Sequence, residues 1–420
     1  MDKFVIIGGR KLGGSITVDG SKNAALPIIA GAILIAEGET IIENVPPLMD
    51  IFTIKQLIEH LGGKISYDQK AMSMSIDCSG IHHNTAPYEL VRKMRASFLV
   101  MGPLLSRLGE ARVSLPGGCS LGARPVDYHI KGFRSLGAEL SEDAGFIIAR
   151  AKSLKGATVI FDRPSHTGTE NLIFGATLAE GDTRIVNAAC DPEVVDVANF
   201  LNAAGAKISG AGTSTINITG VSALKPVRYR VSGDRLVAGT YMCGAAATGG
   251  KVEIDGINPS HLTMVSRKLY EMGCTVQEQP NGVIVKGPKR LGPVKVVTYP
   301  FPGFPTDLQA CIMALTCISS GTSSIKETVF EDRFSHTMEL RRLGADVTVT
   351  SDEAIVNGVE RMKGTSVMAS DIRAGAGLVL ACLAAKGTSE VLRIYHIDRG
   401  YCRLEEKLSS LGADIKRETQ

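Results

Sequence analysis

One cysteine of the nine stands in a segment suited to exposure. The stretch SLPGGCSLGARPVD (114–127) surrounds Cys119 with Gly117, Gly118 and Gly122 and places Arg124 just beyond. Glycines give a loop conformational freedom, and a nearby guanidinium favours the thiolate, the reactive form of the side chain. A thiol so placed can deliver a proton or attack an electrophilic carbon. The competing description is an inert core thiol, the usual state of an intracellular cysteine. Cys78, Cys190, Cys243, Cys274, Cys311, Cys317, Cys382 and Cys402 have no such loop around them and are read that way. A second group of polar residues opens six apolar stretches: Ser21-Lys22-Asn23, Arg92-Lys93-Met94-Arg95, Thr169-Glu170-Asn171, Ser232-Gly233-Asp234-Arg235, Pro305-Thr306-Asp307 and Ser370-Asp371-Ile372-Arg373. Asp234, Asp307 and Asp371 are explained equally well as N-caps. Lys22, Arg95 and Arg373 are not, because a cation at a helix N-terminus opposes the helix dipole. Cations set against that preference, where several helix starts converge, point to a bound polyanion.

Other motifs are weaker. His82-His83 reads as a solvated turn, and Gly8-Gly9 and Gly13-Gly14 match neither a dinucleotide fingerprint nor a phosphate-binding loop. There is no CxxC and no zinc-ligand spacing, so neither metal nor cofactor is expected.

The elements that must carry these residues repeat. Six segments of the type LGG-K-I, LGA-E-L, AGA-K-I, MGC-T-V, LGA-D-V and LGA-D-I centre on Gly62, Gly137, Gly205, Gly273, Gly344 and Gly412, spaced 75, 68, 68, 71 and 68 residues apart. An upstream strand-like marker begins at Gly38, Gly109, Gly181, Gly250, Gly321 and Gly387, spaced 71, 72, 69, 71 and 66 apart. Two markers holding one period of about 70 residues define a repeat. Each unit reads as an apolar helix (Ala24–Ala36, Leu172–Glu180, Ala374–Ala385), a β-branched strand, and a loop. An amphipathic helix such as Ile51–Leu61 follows, closed by a glycine in the left-handed cap position, and then one or two strands. A helix apolar all round must be covered on all sides, so the six first helices are expected inside, wrapped by sheets and amphipathic helices. From marker to cap glycine the units measure 24, 28, 24, 23, 23 and 25 residues. The surplus of the second falls in the loop that holds Cys119, which makes it a candidate lid.

A chain of 420 residues suggests two or three domains at roughly 150 residues each. Six repeats divide into two domains of three, 21–232 and 1–20 plus 233–420, with the N-terminal strands completing the second. The chain then crosses twice through a hinge beside an interdomain cleft. Hydrophobic residues at 44% and charged residues at 21% exclude disorder, collagen and coiled coil. A net charge of +3 without a basic run, and aromatics at 5% with no Trp, give no sign of nucleic acid or anionic membrane as partner. The longest apolar run contains Pro27 and is too short to span a bilayer. A cytoplasmic location is expected, from unpaired cysteine usage and an N-terminus without signal-peptide character.

SKNAALP (21–27), LPGGCSLGARPVD (115–127), FPTDLQA (304–310), SDIRAGAGLVLA (370–381) and HIDRGYCRLEEKL (396–408) together resemble the UDP-N-acetylglucosamine enolpyruvyl transferases, over essentially the whole chain. The resemblance implies two inside-out α/β barrel domains of three units each. It also implies transfer of the enolpyruvyl group of phosphoenolpyruvate to the sugar 3-hydroxyl with loss of phosphate, the first committed step toward peptidoglycan. Carried over residue by residue, Cys119 is the proton donor and can hold phosphoenolpyruvate covalently, and Asp307 is the base for the hydroxyl. Lys22, Asn23, Arg95, Arg124 and Arg399 bind phosphoenolpyruvate. Asn23, Arg95, Arg124, Pro125, Val126, Asp127, Tyr128, His129, Arg163, Ser165, Asp307 and Val329 contact the nucleotide sugar, with Phe330 beside Val329. Asp371 and Arg373 order the cleft. A monomer and alkylation of Cys119 by the epoxide fosfomycin are also expected. Arg163-Pro164-Ser165-His166-Thr167-Gly168 stands where the family usually carries a Ser-Val-Gly turn, and Cys402 where an acidic residue is common. Three rivals remain: the shikimate-pathway enolpyruvyl transferase, whose fold is shared but which lacks the lid cysteine; an enolpyruvyl transferase for another nucleotide sugar; and a nucleotide-sugar-binding regulator without catalysis.

Overall fold

All six cap glycines take the left-handed conformation in the computed structural model, which describes residues 2–115 and 126–419, with φ between 88° and 107°. Each ends a helix whose last carbonyls it helps to satisfy; at Gly62 the backbone N–H bonds Glu59 and Ile58 follows through Gly63. Gly205 shows why the residue recurs. A Cβ there would meet nothing within 4 Å, so only its φ of 107° forbids a side chain. Gly205→Ala is therefore expected to cost about 1 kcal/mol through the left-handed backbone alone, read as a lower thermal midpoint with activity retained.

The repeat period is a sheet period. The marker strand Glu39–Glu43 runs parallel to Arg228–Arg230 on one side and antiparallel to Ser73–Asp77 on the other, and Lys64–Asp68 closes that sheet. The same order recurs around Glu110–Ser114 and Asp182–Val186, and around Lys251–Asp255, Thr322–Lys326 and Thr388–Leu392, giving six four-stranded sheets among the described residues. Alternation fits this pairing: Thr40 and Ile42 point inward from the first marker strand while Glu39 is exposed. The parallel strand of the Lys251–Asp255 sheet is Gly13–Thr17. Asp2–Ile7 lies between Thr388–Leu392 and Asp414–Thr419, with Phe4 and Ile6 fully buried.

The described residues form two compact units, one of residues 20–115 and 126–232, the other of residues 2–19 and 233–419. In the first, the helices Lys22–Gly31, Met101–Leu108 and His166–Thr177 are the buried ones, and Met49–Leu61, Asp127–Ser135 and Pro192–Ala203 are amphipathic. In the second, Arg235–Thr248, Gln309–Thr316 and Ile372–Ala384 are buried, and Thr263–Glu271, Thr337–Arg342 and Leu404–Ser410 lie outside them. Each unit is thus inside-out, with helices at the centre and sheets around them. None of the described helices is long and apolar enough to cross a membrane.

Two helix starts differ from the sequence expectation. His166–Thr177 begins six residues before Leu172, so Thr169, Glu170 and Asn171 lie inside the helix, fully buried. Each has a partner: Thr169 Oγ1 accepts from Ala189 N, Glu170 meets His166, and Asn171 bonds Gly102 N, Phe98 O and His129. A buried helix tolerates polar groups when every one is bonded. The segment around Arg95 forms a 3-10 turn, Arg95–Val100, and the α-helix starts only at Met101.

Candidate functional site

Asp307 lies in the 3-10 turn Thr306–Leu308, which leads into the buried helix Gln309–Thr316 of the fifth repeat, and its side chain makes no capping bond among the described residues. Its Oδ1 accepts from Arg333 Nη2 at 2.9 Å and its Oδ2 from Arg373 Nε at 3.1 Å. Both arginine side chains are 6% exposed, the carboxylate 26%. Burial would raise the Asp307 pKa, yet the two guanidiniums, Arg373 before Arg333, hold it well below the usual carboxylate range. Arg373 Nη1 is buried with no hydrogen-bond partner among the described residues, an open donor beside Asp307. Beneath it the Arg373 guanidinium lies 5.4 Å from the Tyr401 ring centre, and the Tyr401 hydroxyl shares a 2.8 Å hydrogen bond with Thr240. Asp371 does cap: one oxygen accepts from the backbone N–H of Arg373 and of Ala374, both at 2.9 Å, and so fixes where Arg373 starts. His336, whose pKa burial pushes down to about 4, borders the same cluster, and its Nε2 has no partner among the described residues.

In the sequence Glu327 follows an ordinary strand, Thr322–Lys326, and carries no signal of its own. It is buried; Oε1 accepts from Thr298 Oγ1, Val329 N and Phe330 N at 2.7, 2.8 and 3.2 Å, and Oε2 from Thr306 Oγ1 at 2.8 Å. One carboxylate thereby fixes the backbone of Val329 and the residue before Asp307. Arg399 ends the short turn Ile394–Arg399 in this same unit and is half-buried.

In the other unit Lys22 is buried in the first turn of its helix, after the Ser21 cap, and Nζ reaches Asp50 Oδ2 at 3.2 Å. The clash with the dipole is therefore partly met inside the protein: Asp50 answers Lys22 as Asp307 answers Arg373. Asn23 beside it is half-buried, as is Arg95. Val126 precedes the helix Asp127–Ser135, in which Asp127 Oδ1 has no partner among the described residues and the Tyr128 ring meets Phe161 edge-on at 5.4 Å. His129 turns inward: it is 4% exposed, one ring nitrogen lies 2.9 Å from Asn171 Nδ2 and the other 3.4 Å from Thr167 Oγ1. Burial, with the charge of Arg95, pushes it down to about 3, so it is a neutral packing residue whose ring does not face solvent. The Ser165 hydroxyl caps its helix by accepting from Gly168 N at 3.2 Å, and Arg163 is exposed. His166, absent from the expected set, bonds Glu170 at 3.0 Å; burial opposes its charge, but Glu170, Asp191 and Glu193 raise it to about 10. Cys119, Arg124 and Pro125 lie outside the described residues. The eight other thiols are all pushed above their ordinary value, burial first among the causes: Cys78, Cys274, Cys317 and Cys382 to about 12, Cys311 to about 11, and Cys190, Cys243 and Cys402 in the same direction. Such thiols are poor nucleophiles.

Buried carboxylate–cation pairs near helix starts, one of them with an unfilled guanidinium donor among the described residues, suit recognition of a multiply charged anion. The model of the EPSP synthase (3-phosphoshikimate 1-carboxyvinyltransferase) family matches residues 6–408. The chain belongs to this family of carboxyvinyltransferases. Within it, the chain is 52% identical over 418 residues to a UDP-N-acetylglucosamine 1-carboxyvinyltransferase of Trichlorobacter lovleyi, covering 99% of each chain. It is 49% identical to one of Desulfosudis oleivorans over all of both chains. Among solved structures it is similar to the enolpyruvyl transferase NikO of Streptomyces tendae, with a TM-score of 0.89 at 25% identity over 100% of this chain and 99% of that one. It shares its fold with an EPSP synthase of Acinetobacter baumannii, with a TM-score of 0.77 at 22% identity over the whole of both. The enzyme is a transferase with the inside-out two-domain fold of that family.

Proposed function

We propose that this carboxyvinyltransferase joins the enolpyruvyl group of phosphoenolpyruvate to the 3-hydroxyl of UDP-N-acetylglucosamine and releases phosphate, committing the sugar to peptidoglycan precursors in the cytoplasm. The support is likeness across the full chain to relatives that carry that name, together with the PGGC loop.

The reaction has two halves. A proton goes to the methylene carbon of phosphoenolpyruvate as the sugar oxygen bonds C2, giving a tetrahedral phosphate-bearing centre. Loss of phosphate, with return of a proton from the methyl group, restores the double bond. Cys119 supplies the acid and can itself add to C2. Lys22, Arg124 and Arg399 hold the phosphate and carboxylate, with Asn23 and Arg95 serving both substrates, and their charge stabilises the intermediate. Asp307 receives the hydroxyl hydrogen bond. With two guanidiniums on it, its carboxylate orients the hydroxyl more readily than it removes the proton, and proton removal requires that substrate draw Arg373 or Arg333 away. Asp371 and Arg373 order this corner. The nucleotide is held by Val126, Asp127, Tyr128, Arg163, Ser165 and Val329, with Pro125 adjoining and His129 acting through packing.

The deciding experiment offers phosphoenolpyruvate with either UDP-N-acetylglucosamine or shikimate 3-phosphate and measures inorganic phosphate. Release that requires the nucleotide sugar is expected; release with shikimate 3-phosphate alone would replace this reading by the shikimate-pathway one. Fosfomycin is expected to add to Cys119, and an unchanged intact mass after incubation with drug and nucleotide sugar would remove the reactive thiol from the mechanism.

A further inference from the structure

Glu327 is 4% exposed, and among the described residues its carboxylate accepts four hydrogen bonds, all from hydroxyls and backbone amides. They come from three segments of the 233–419 unit: Thr298 after the strand Lys295–Val297, Thr306 beside Asp307, and the start of the loop that Glu327 itself opens, at Val329 and Phe330. Burying a carboxylate costs free energy that an apolar side chain would not, and the four donors offset that cost while connecting the segments. The loop then turns back through Asp332, in the left-handed region at φ 54°, and Arg333 returns to Asp307 with its 2.9 Å bond. The Arg333 guanidinium lies 5.1 Å from the Phe330 ring centre. The contacts close into a ring: Glu327 to Thr306, Thr306 to its neighbour Asp307, Asp307 to Arg333, Arg333 to Phe330, and Phe330 back to Glu327.

The ring joins two places with different tasks, Asp307 for the sugar hydroxyl and Val329 for the nucleotide. We propose that Glu327 is a positioning residue that holds these two in register, so that a nucleotide sugar resting on Val329 brings its 3-hydroxyl to Asp307. The proposal rests on those two assignments. A closed ring passes a displacement at Val329 on to Asp307, whereas separate ties to the scaffold would leave them independent. Loss of the carboxylate therefore acts at both places at once, on kcat through Asp307 and on the KM for UDP-N-acetylglucosamine through Val329. The KM for phosphoenolpyruvate is little changed, because the four bonds go to none of the residues assigned to that substrate.

The test uses the full chain with Glu327→Ala, Glu327→Gln and Thr306→Val, in steady-state kinetics with both substrates and thermal melts. Amide hydrogen exchange of residues 327–333 in the wild type, with and without UDP-N-acetylglucosamine, accompanies it. Glu327→Ala is expected to lower kcat about 10²-fold, the scale of a displacement near 1 Å at a reacting group, and to raise the KM for UDP-N-acetylglucosamine about tenfold. Glu327→Gln keeps an oxygen for Thr298, Val329 and Phe330, and its amide can donate to the Thr306 hydroxyl, so it is expected to restore both. Thr306→Val cuts only the arm to Asp307 and is expected to lower kcat about tenfold with the KM for UDP-N-acetylglucosamine unchanged. Should Glu327→Ala fail to fold, the Thr306→Val result decides. With wild-type exchange slowed by the nucleotide sugar, a folded Glu327→Ala that melts lower but keeps kcat and both KM values, or a Thr306→Val that keeps kcat, would reduce Glu327 to a structural tie and overturn the proposal. Exchange that the nucleotide sugar leaves unchanged would instead overturn the assignment of Val329, and full turnover in Asp307→Asn that of Asp307, either one taking the proposal with it.

Discussion

Cys119→Ala is expected to lower the rate of phosphate release by about 10²–10⁴-fold, the range a positioned acid contributes. The loss should fall on kcat, with the KM for UDP-N-acetylglucosamine largely kept, because a thiol that acts on the methylene carbon adds little to holding the nucleotide. The rest of the chain makes this a sharp test. The eight other cysteines carry thiols that burial pushes away from reactivity, so none of them is a substitute acid. A folded Cys119→Ala enzyme that turns over at the wild-type rate would show that the proton comes from elsewhere.

Asp307→Asn is the second large effect. Turnover is expected to fall by about 10²–10⁴-fold, since the amide can neither accept the hydroxyl proton nor balance two arginines. The melting temperature should fall too, because both guanidiniums, 6% exposed, lose their counter-charge. The pH dependence separates the two roles. A folded-state pKa held below the unfolded value means that this carboxylate contributes stability above about pH 4, lost only as pH falls through the lower folded value. The wild-type rate should therefore show no limb from Asp307 between pH 5 and 8. An acid limb inside that window that disappears in Asp307→Asn would mean that substrate breaks the arginine clamp and frees a stronger base. Full turnover in the variant would leave Asp307 as scaffold alone.

The repeat and its inside-out plan could be read from the sequence because both rest on local constraints. A left-handed cap with φ near 90° admits little but glycine, and a helix apolar on every face has no place but the interior. The cations at the helix starts were legible as an anomaly, and the structure resolves it in part, by giving Lys22 and Arg373 a carboxylate each. Their partners were not legible. Asp50 looks like an ordinary first-turn acid, and Arg333 belongs to a loop 26 residues from the carboxylate it clamps. Glu327 likewise acts through contacts that sequence order does not suggest. Glu170 and Asn171 misled by their polarity: they look like a helix boundary, but long-range bonds to His129 and Phe98, and a local one to His166, let them sit mid-helix. His129 is the same lesson in reverse, a residue that looks available and is sealed inside.

The place of the strand Asp2–Ile7 sets a timetable for synthesis. It is an interior strand, and its neighbours on both sides, Thr388–Leu392 and Asp414–Thr419, are translated much later. At about 5–20 residues per second, Phe4 and Ile6 leave the ribosome on the order of 20–80 s before the strands that will cover them exist. The sheets of the 20–232 unit need nothing made later than Arg230 and can close in that interval. The nascent chain thus carries an unsatisfied apolar strand past a finished neighbour, and slow translation of the last repeat should lengthen its dependence on chaperones.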